Sequence, residues 1–316
     1  MRDHGGNIDW AKAHYGGGDW IDLSTGINRV PYPVPALSPE AWTMLPTAEA
    51  KARLMRTAEV AFGTQAPGVA LAGAQAAIQL IPRLMPKGQA SVLAPTYNEH
   101  AASLRAAGWT VTEVSTLENL AGADLAIVVN PNNPDGRSHA PATLRALAQQ
   151  VGQLVVDESF ADPTPALSVI ADPGPILALR SFGKFWGLAG VRLGFAFGAE
   201  GLIARLSDMA GPWPVSGAAI EIGCAALSDS DWRRDTIARL EAEVTRIDAL
   251  AGAAGWSLVG GCALFRTYAT PDAAAAQDHL ARQKIWSRIF PYSDRWIRLG
   301  LPGASVEWER LHAALT

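Results

Sequence analysis

An α/β fold is predicted by the order of the elements along this chain of 316 residues. Short apolar stretches rich in β-branched residues alternate with stretches whose apolar residues recur at helical spacing, which is typical of a parallel sheet covered by helices. The chain is also long enough to bury one large core and a second, smaller one. We therefore predict a large domain with a mostly parallel seven-stranded sheet and a smaller C-terminal α/β domain.

Composition divides the chain into three predicted segments. Residues 1–35 hold glycine clusters and then three prolines, so we expect an irregular arm with one short helix near residues 8–14. Residues 36–215 are predicted as the large domain, because strand and helix patterns alternate there. A proline-punctuated link at 211–215 leads into long amphipathic helical stretches, and residues 216–316 are predicted as the smaller domain.

The elements of both domains follow from apolar spacing. In the large domain, strands are expected at 69–72, 90–95, 109–114, 124–129, 153–156, 176–179 and 191–197. Helices are expected at 48–62, where Gly63 ends the pattern, from residue 74 to about 85, from 97 to about 108, and at 141–151. In the smaller domain, helices are expected at 216–226, 231–253, 272–283 and 306–315, and strands at 256–259, 263–269, 285–290 and 296–300.

Charge and composition exclude several classes of protein. The net charge is -4 and the pI is near 5.9, which gives no electrostatic footprint for a nucleic-acid partner. No apolar run reaches the ~18 residues of a membrane span, and the N-terminus has no signal pattern, so we expect a cytoplasmic protein without a membrane partner. Cys224 and Cys262 lie far apart and outside any ligand spacing, which indicates reduced thiols and no metal site.

The segment SFGKFWGLAGVRLG, residues 181–194, is the most informative of the chain. Glycines and aromatic residues surround Lys184, and such a setting lowers the pKa of an ammonium group and makes the amine a nucleophile. Ser181 and Arg192 offer a hydroxyl and a guanidinium that can hold a phosphate beside that amine. An imine-forming amine next to an anion clamp is what pyridoxal phosphate requires. The alternative is a surface lysine on a glycine-rich loop.

Two further strand ends favour the same cofactor. The stretch 69–78 reads as a strand, a small-residue turn and a helix, which exposes backbone N–H groups to an anion, although any tight α/β turn has this pattern. Asp157 ends a hydrophobic strand, where a carboxylate is costly unless a cation faces it. A protonated pyridine nitrogen is such a cation, and a helix or turn cap is the alternative role for Asp157.

These motifs resemble a known superfamily. The lysine segment resembles the Schiff-base segment of the fold-type-I pyridoxal-phosphate enzymes, the aspartate-aminotransferase-like superfamily. The segments HGGN at 4–7 and IDLSTGINRVPYPVP at 21–35 resemble the threonine-phosphate decarboxylase branch of cobalamin biosynthesis, which is similar to histidinol-phosphate aminotransferase. The likeness extends to RLGLPG at Arg298, so it covers nearly the whole chain. It implies a pyridoxal 5′-phosphate enzyme that is a homodimer.

The resemblance also assigns cofactor-binding residues. Lys184 bonds the cofactor, Asp157 faces its ring nitrogen, and Tyr97 stacks on its ring unless it is an ordinary loop tyrosine. The phosphate and the phenolic oxygen are implied to contact Ala74, Gln75, Ser181, Arg192 and Asn133, although a plain turn also explains the Asn133 segment. Lys184, Asp157 and Tyr97 are the predicted catalytic residues. His100, at the start of a helix, is expected to be structural.

The resemblance places the substrate against the N-terminal arm. His4, Gly26 and Asn28 are implied to lie near it, unless His4 belongs to a disordered terminus. An arginine in a half-buried strand usually pairs with an anion, which applies to Arg288 and Arg298. The resemblance implies that Arg298 binds the substrate carboxylate, or its equivalent, and that Arg288 faces the substrate phosphate. The alternative for both arginines is a structural partner such as Asp294 or Glu307.

The sequence departs from many relatives at two positions. Phe160 stands where they carry a tyrosine that donates a hydrogen bond to the cofactor's phenolic oxygen. Asn133 must therefore contribute more of the hydrogen bonding to that oxygen, and transamination is less favoured. No tyrosine occurs near residues 45–46, where a partner subunit's tyrosine reaches the phosphate in many relatives.

The predicted reaction is decarboxylation of L-threonine O-3-phosphate, a phosphorylated amino acid, to (R)-1-amino-2-propanol O-2-phosphate. The Cα bond that stands perpendicular to the cofactor ring breaks, so substrate anchors decide the outcome. An aminotransferase of the histidinol-phosphate type is the alternative enzyme, and a catalytically silent pyridoxal-phosphate binder is the alternative outside enzymes.

Overall fold

The computed structural model describes residues 4–316, which separate into two compact units. The central unit comprises residues 32–133 and 137–232, and the terminal unit comprises residues 4–31, 134–136 and 233–316. This division falls later than the predicted boundary at 215, and residues 4–31 cluster with the C-terminal residues. The later boundary has a packing reason, because a Cβ at Gly223 would lie within 3 Å of Leu54 and Leu193 side-chain atoms of the central unit.

Strands and helices alternate along most of the chain. Residues 4–316 form the strands β1 (Ile21–Asp22), β2 (Gly68–Leu71), β3 (Gln89–Leu93), β4 (Thr110–Val114), β5 (Leu125–Val129), β6 (Gln153–Asp157), β7 (Ile176–Ser181), β8 (Gly194–Phe197), β9 (Ser257–Cys262), β10 (Phe265–Ala269), β11 (Ile285–Trp286), β12 (Arg288–Phe290) and β13 (Ser293–Gly300). They also form the helices α1 (Ile8–Tyr15), α2 (Glu40–Thr43), α3 (Ala48–Phe62), α4 (Ala74–Leu80), α5 (Glu99–Ala106), α6 (Pro141–Ala148), α7 (Glu200–Ala210), α8 (Gly217–Ser228), α9 (Ser230–Ala253), α10 (Ala273–Arg282) and α11 (Ser305–Leu315).

Local sequence signals set several helix ends. Thr47 accepts a hydrogen bond from the backbone N–H of Ala50 at the start of α3, and Gly63 ends that helix in the left-handed conformation at φ 65°. Ser216 and Asp272 cap α8 and α10 in the same way as Thr47. The short helix predicted near 8–14 is α1. Along residues 4–316, no helix has the length and apolar character needed to cross a membrane.

The central unit is built on a seven-stranded sheet in the order β2-β8-β7-β6-β5-β3-β4. β8 runs antiparallel to both of its neighbours, and the other pairs are parallel, so the predicted mostly parallel sheet is confirmed. All five residues of β5 are buried, as expected for a strand covered on both faces. The carboxyl ends of β2, β3, β5, β6 and β7 meet at one edge, where α/β proteins bind ligands.

The terminal unit holds a four-stranded antiparallel sheet, β12-β13-β10-β9, and a parallel pair, β1-β11. The single strand predicted at 285–290 is therefore two strands, because β11 pairs with β1 and β12 pairs with β13. The pattern also missed β1 and the helices α2 and α7. Lys284, in the left-handed conformation at φ 61°, donates from Nζ to the carbonyl of Tyr15 at 2.5 Å and so fixes the end of α1.

Candidate active site

A cavity of about 150 Å³ opens at the carboxyl edge of the central sheet. It is lined by Gly73, Ala74, Gln75, Ile78, Tyr97, Val129, Asn133, Asp157, Ser159, Phe160, Ser181, Gly183, Lys184, Arg192 and Leu193. All eight residues predicted to bind the cofactor are among them. They come from separate segments that follow or precede different strands, and the strand directions bring these segments to one edge.

Lys184 lies on a tightly packed loop between β7 and β8. A Cβ at Gly183 would stand 2.8 Å from the Cα of Ala189, so the loop closes on itself only with glycine there. Behind the loop, the buried ring of Trp186 stacks on Trp232 with centroids 5.1 Å apart. The Nζ atom of Lys184 lies 5.4 Å from the ring centre of Phe160. The loop that carries the Lys184 amine is thus supported by packed aromatic rings.

Asp157 is the buried carboxylate of the cavity. Its Oδ1 accepts hydrogen bonds from the backbone N–H and the hydroxyl of Ser159, at 2.9 and 2.5 Å, and its Oδ2 lies 2.8 Å from His100 Nε2. Burial raises the pKa of Asp157, but the hydrogen bonds and charge of His100 together with the Ser159 bonds outweigh it, so the pKa lies below its ordinary value. The carboxylate is therefore held ionised in an apolar surrounding.

His100 is a site residue that the sequence analysis treated as structural. It is buried in the first turn of α5 and lies 57 positions before Asp157 in the chain. The sequence carries no signal for this contact, because only the pairing order of the strands brings the start of α5 against the end of β6. An imidazole that holds the carboxylate from behind leaves Asp157 to face a cation in the cavity.

The start of α4 and the side chain of Arg192 form an anion cradle. Gly73 has a φ of 78°, and no side chain caps α4. A Cβ at Gly73 would lie 2.9 Å from the Nη2 atom of Arg192, and a Cβ at Gly194 would lie 2.4 Å from the backbone nitrogen of Ala74. Glycine at both positions therefore lets the guanidinium and β8 approach the first N–H groups of the helix. Ser181 lines the same cavity at the end of β7.

Tyr97 and Gln75 are joined by a hydrogen bond on the cavity wall. The hydroxyl of Tyr97 donates to Gln75 Oε1 at 3.2 Å, and Gln75 Nε2 donates to Glu99 Oε2 at 3.1 Å. The ring of Tyr97 also meets the ring of His100 edge to face, with centroids 6.1 Å apart. Two contacts therefore hold Tyr97, the hydrogen bond of its hydroxyl to Gln75 and the packing of its ring against His100.

The turn after β5 carries Asn133 into the cavity. Asn130 closes this turn, because its side chain donates to the carbonyl of His139 at 3.1 Å and accepts from the N–H of His139 at 2.8 Å. Asn132 accepts from the hydroxyl of Thr96 at 2.6 Å. Two buried asparagines therefore fix the backbone, and Asn133 is the one that lines the cavity.

The family of the chain is known from its similarity to other proteins. Residues 44–315 match the family described as aminotransferase class I and II. The chain belongs to that family. It is 43% identical to the threonine-phosphate decarboxylase of Pseudomonas aeruginosa, over 100% of this chain and 97% of the relative, and 41% identical to that of a Sinorhizobium species, over 99% and 97%. The histidinol-phosphate aminotransferase of Sinorhizobium meliloti, solved in complex with pyridoxal 5′-phosphate, superposes with a TM-score of 0.84 at 19% identity, over 100% of this chain and 94% of that one. The predicted fold-type-I architecture is confirmed.

The cavity fits the cofactor of this aminotransferase family. Pyridoxal 5′-phosphate has an aldehyde, a phenolic oxygen, a protonated ring nitrogen and a phosphate, each with its own chemical requirement. The cavity offers the amine of Lys184, the amide of Asn133, the ionised carboxylate of Asp157 and the cradle at Gly73 and Arg192. The approach of Arg192 to Gly73, at the start of α4, places a guanidinium beside free backbone N–H groups, as a phosphate ligand requires.

The residues predicted to bind substrate belong to the terminal unit. A second cavity, of about 350 Å³, is lined there by His4, Gly5, Asn7, Trp10, Ser24, Gln277, Trp286, Ser287, Arg288, Ile289, Phe290 and Pro291. His4 and Arg288 thus share a cavity. Gly26 and Asn28 are buried but do not line it, and Asn28 Oδ1 accepts from Arg239 at 2.8 Å and from the N–H of Val30 at 3.0 Å.

Arg298 lies opposite Arg288 in the pairing of β12 with β13. Its guanidinium is buried, stands 5.1 Å from the ring centre of Phe265, and donates to the carbonyl of Ser24 at 2.7 Å. Burial and the positive charge of Arg288 lower the pKa of Arg298 to about 10. Glu307, one of the carboxylates considered as its structural partner, instead accepts from Arg29 Nε at 2.8 Å.

Ser24 connects the N-terminal arm to Arg298. Its hydroxyl accepts from the backbone N–H of Gly6 at 2.7 Å and donates to Asp22 Oδ1 at 2.6 Å, while its carbonyl accepts from Arg298. A Cβ at Gly5 would lie 2.4 Å from that carbonyl oxygen, so the arm can lie this close only with glycine. Ser24 lies within the segment 21–35, and no local pattern there marks it as a contact of Arg298.

Proposed function

We propose that the protein uses pyridoxal 5′-phosphate to decarboxylate L-threonine O-3-phosphate to (R)-1-amino-2-propanol O-2-phosphate, a step of cobalamin biosynthesis. The observation that carries the proposal is the convergence of Lys184, Asp157 and Arg192 in one cavity, in a chain related along its full length to threonine-phosphate decarboxylases. Histidinol-phosphate aminotransferases share the fold, so the reaction type depends on how the substrate is held.

The residues of the central cavity each have a defined task. The bound cofactor supplies an electron sink for the pair released when a bond to Cα breaks. Lys184 would provide the amine that bonds the cofactor. Asp157, kept ionised by His100 and Ser159, would hold a proton on the ring nitrogen. Arg192 and Ser181 would bind the phosphate, and Tyr97 would pack against the ring.

Phe160 favours carbon dioxide loss over amino transfer. Its ring offers no hydrogen-bond donor to the phenolic oxygen, so the amide of Asn133 is the donor that we assign there. We assign the binding of the two anionic groups of the substrate to Arg288, Arg298 and His4, which would fix the orientation of its carboxylate. Gly26 and Asn28 are assigned an indirect role in substrate binding, through the backbone conformation of the segment that precedes Arg29.

The test uses substrate labelled in its carboxyl carbon. Purified protein is incubated with pyridoxal phosphate and L-threonine O-3-phosphate, and labelled carbon dioxide and aminopropanol phosphate are measured together. We expect equal amounts of both, and neither with Lys184→Ala. Label retained in a keto acid, with amino transfer to 2-oxoglutarate, would make the protein an aminotransferase. Cofactor binding without any product from phosphorylated amino acids would support the silent binder.

We also propose that the protein is a homodimer. Trp42 and Leu45 are 68% and 64% exposed, and Met44 and Trp213 are exposed beside them. These four residues and Arg192 line one open depression, so the apolar surface is continuous with the phosphate cradle. A second copy of the chain is the occupant that we assign to it. Sedimentation should show a dimer, and Trp42→Asp should give a monomer with weaker cofactor binding; a monomeric wild type would contradict the proposal.

A cytoplasmic location is part of the same proposal. Both cysteines, Cys224 and Cys262, are free thiols, as expected in a reducing compartment. Burial raises the pKa of Cys262 to about 11, which makes this thiol inert. Fractionation of cells that express the tagged chain would test the location.

A further inference from the structure

We propose that Glu99 is a positioning residue for cofactor binding, which acts through the side chain of Gln75 on the ring of Tyr97. Glu99 is only 6% exposed, in the first turn of α5. It does not line the cavity, whereas Gln75 and Tyr97 do. Any effect of Glu99 on the cofactor must therefore pass through its neighbours.

The hydrogen bonds between these three residues have a fixed direction. The carboxyl oxygen Oε2 of Glu99 accepts a hydrogen bond from the amide nitrogen of Gln75 at 3.1 Å, so that nitrogen faces Glu99. The amide oxygen of Gln75 then faces Tyr97, and the tyrosine hydroxyl must donate to it, at 3.2 Å. Without Glu99, the amide of Gln75 could turn over and present its nitrogen instead.

This direction determines where the Tyr97 ring stands. The hydroxyl is held by Gln75, and the ring packs edge to face against His100 at an interplanar angle of 84°. Two points of attachment define the plane of an aromatic ring that has two rotatable side-chain bonds. Adjacent residues of α5, Glu99 and His100, thus fix the stacking ring and the carboxylate of Asp157 respectively.

A structural role is the competing explanation for Glu99. An acidic residue in the first turn of a helix stabilises that helix through its dipole, and its loss lowers thermal stability without any specific effect on a ligand. The two roles differ in what they predict for cofactor binding in the absence of the Tyr97 hydroxyl.

The experiment titrates apoprotein with pyridoxal phosphate and measures the dissociation constant and the visible circular dichroism of the bound cofactor. Glu99→Ala should weaken binding about fivefold and reduce the circular dichroism per bound cofactor, since one buried hydrogen bond is worth about a factor of five. Glu99→Gln, which keeps an acceptor of the same shape but adds an amide donor, should lose less affinity than Glu99→Ala, because the acceptor is retained but no longer fixes the direction of the Gln75 amide. Glu221→Ala is the matched control, because Glu221 also accepts two hydrogen bonds in the central unit, from Ser38, but lies outside the cavity.

Repeating the Glu99→Ala substitution in a Tyr97→Phe variant tests whether Glu99 acts through the Tyr97 hydroxyl. There, Glu99→Ala should cost less than about twofold, because the hydroxyl that Gln75 holds is gone. An unchanged fivefold loss in that background, wild-type affinity of Glu99→Ala, or a loss in Glu99→Gln as large as in Glu99→Ala would each overturn the proposal. If Glu99→Ala does not fold, Glu99→Asp replaces it, since the shorter carboxylate retreats from Gln75. These readouts involve no substrate, so they are independent of the proposed decarboxylation.

Discussion

The central unit and the terminal unit differ in how the charged groups of their candidate binding residues are balanced. In the central unit, His100 and Ser159 hold the buried carboxylate of Asp157, which still lines the cavity and can pair there with a cation of the cofactor. In the terminal unit, two arginines stand opposite each other on neighbouring strands, and the charge of Arg288 lowers the pKa of the buried Arg298. The first arrangement suits a resident cofactor that stays bound. The second supports the proposal that Arg288 and Arg298 bind the anionic groups of a substrate.

The largest effect should follow from changes to the central cavity. Lys184→Ala should lower kcat/KM by at least about a thousandfold, because Lys184 is the one lysine among residues 4–316 that lines the cavity and can bond the cofactor. Asp157→Asn should also cost about a thousandfold, since the ring nitrogen loses its ionic partner. Both variants should keep the far-ultraviolet circular dichroism and thermal midpoint of the wild type within a few degrees. A variant with near wild-type rates would remove that residue from the mechanism.

The next effect should come from the terminal arginines. Arg298→Lys should raise KM for threonine phosphate about tenfold to a hundredfold, because one point charge replaces a planar fork of donors. Affinity for pyridoxal phosphate should not change, since Arg298 is not among the residues that line the central cavity. Steady-state kinetics and a cofactor titration measure the two quantities separately. If cofactor affinity fell as far as substrate affinity, the distinction between the two cavities would fail.

His100 provides a pH-dependent test of the central cavity. In the wild type the pKa of Asp157 lies below its ordinary value. Ionised Asp157 therefore stabilises the fold fully at pH values above the ordinary carboxyl pKa. This stabilisation is lost as the pH falls through the lowered pKa of the folded protein. His100→Phe removes the main opposition to burial, so the pKa of Asp157 should rise. The acid limb of kcat/KM and of the thermal midpoint should move to higher pH, with a smaller change near pH 8. Unchanged acid limbs would show that His100 does not control Asp157.

Ser24 should give the smallest of these effects. Ser24→Ala removes the acceptor for the N–H of Gly6 but leaves the backbone carbonyl that binds Arg298. We expect about 1 kcal/mol of local destabilisation, seen as faster hydrogen exchange near Gly6, and a KM increase of a fewfold with little change in kcat. Ser38→Ala, at another hydrogen-bonded serine, should leave KM unchanged. A drop in kcat without a change in KM would place Ser24 outside substrate binding.

The sequence predicted the central cavity more completely than the contacts behind it. Lys184, Asp157 and Asn133 each sit in a short motif at a strand end, and strand order alone carries such motifs to one edge of a parallel sheet. His100 and Glu99 could not be predicted, because their partners come from other segments and a first-turn histidine or glutamate has an ordinary helical explanation. Tertiary packing, rather than any local pattern, gives them a role.

The terminal unit shows where apolar spacing fails as a predictor. The run 285–290 has the composition of one strand, but Ser287 separates β11 from β12, since the two halves pair with different sheets. The partner strands are distant in sequence, so no local signal marks the break. Likewise α8 reads as the start of the smaller domain, yet its small residues pack on α3 in the central unit.

The most direct test of the central claim is to locate the cofactor's covalent bond. Protein loaded with pyridoxal phosphate is reduced with borohydride, digested and analysed by mass spectrometry, and the chain offers Lys12, Lys51, Lys87, Lys184 and Lys284 as possible sites. The account predicts one modified peptide, carrying Lys184, and no modification in Lys184→Ala. Stoichiometric modification of another lysine, or none at all, would contradict the assignment of the central cavity as the active site.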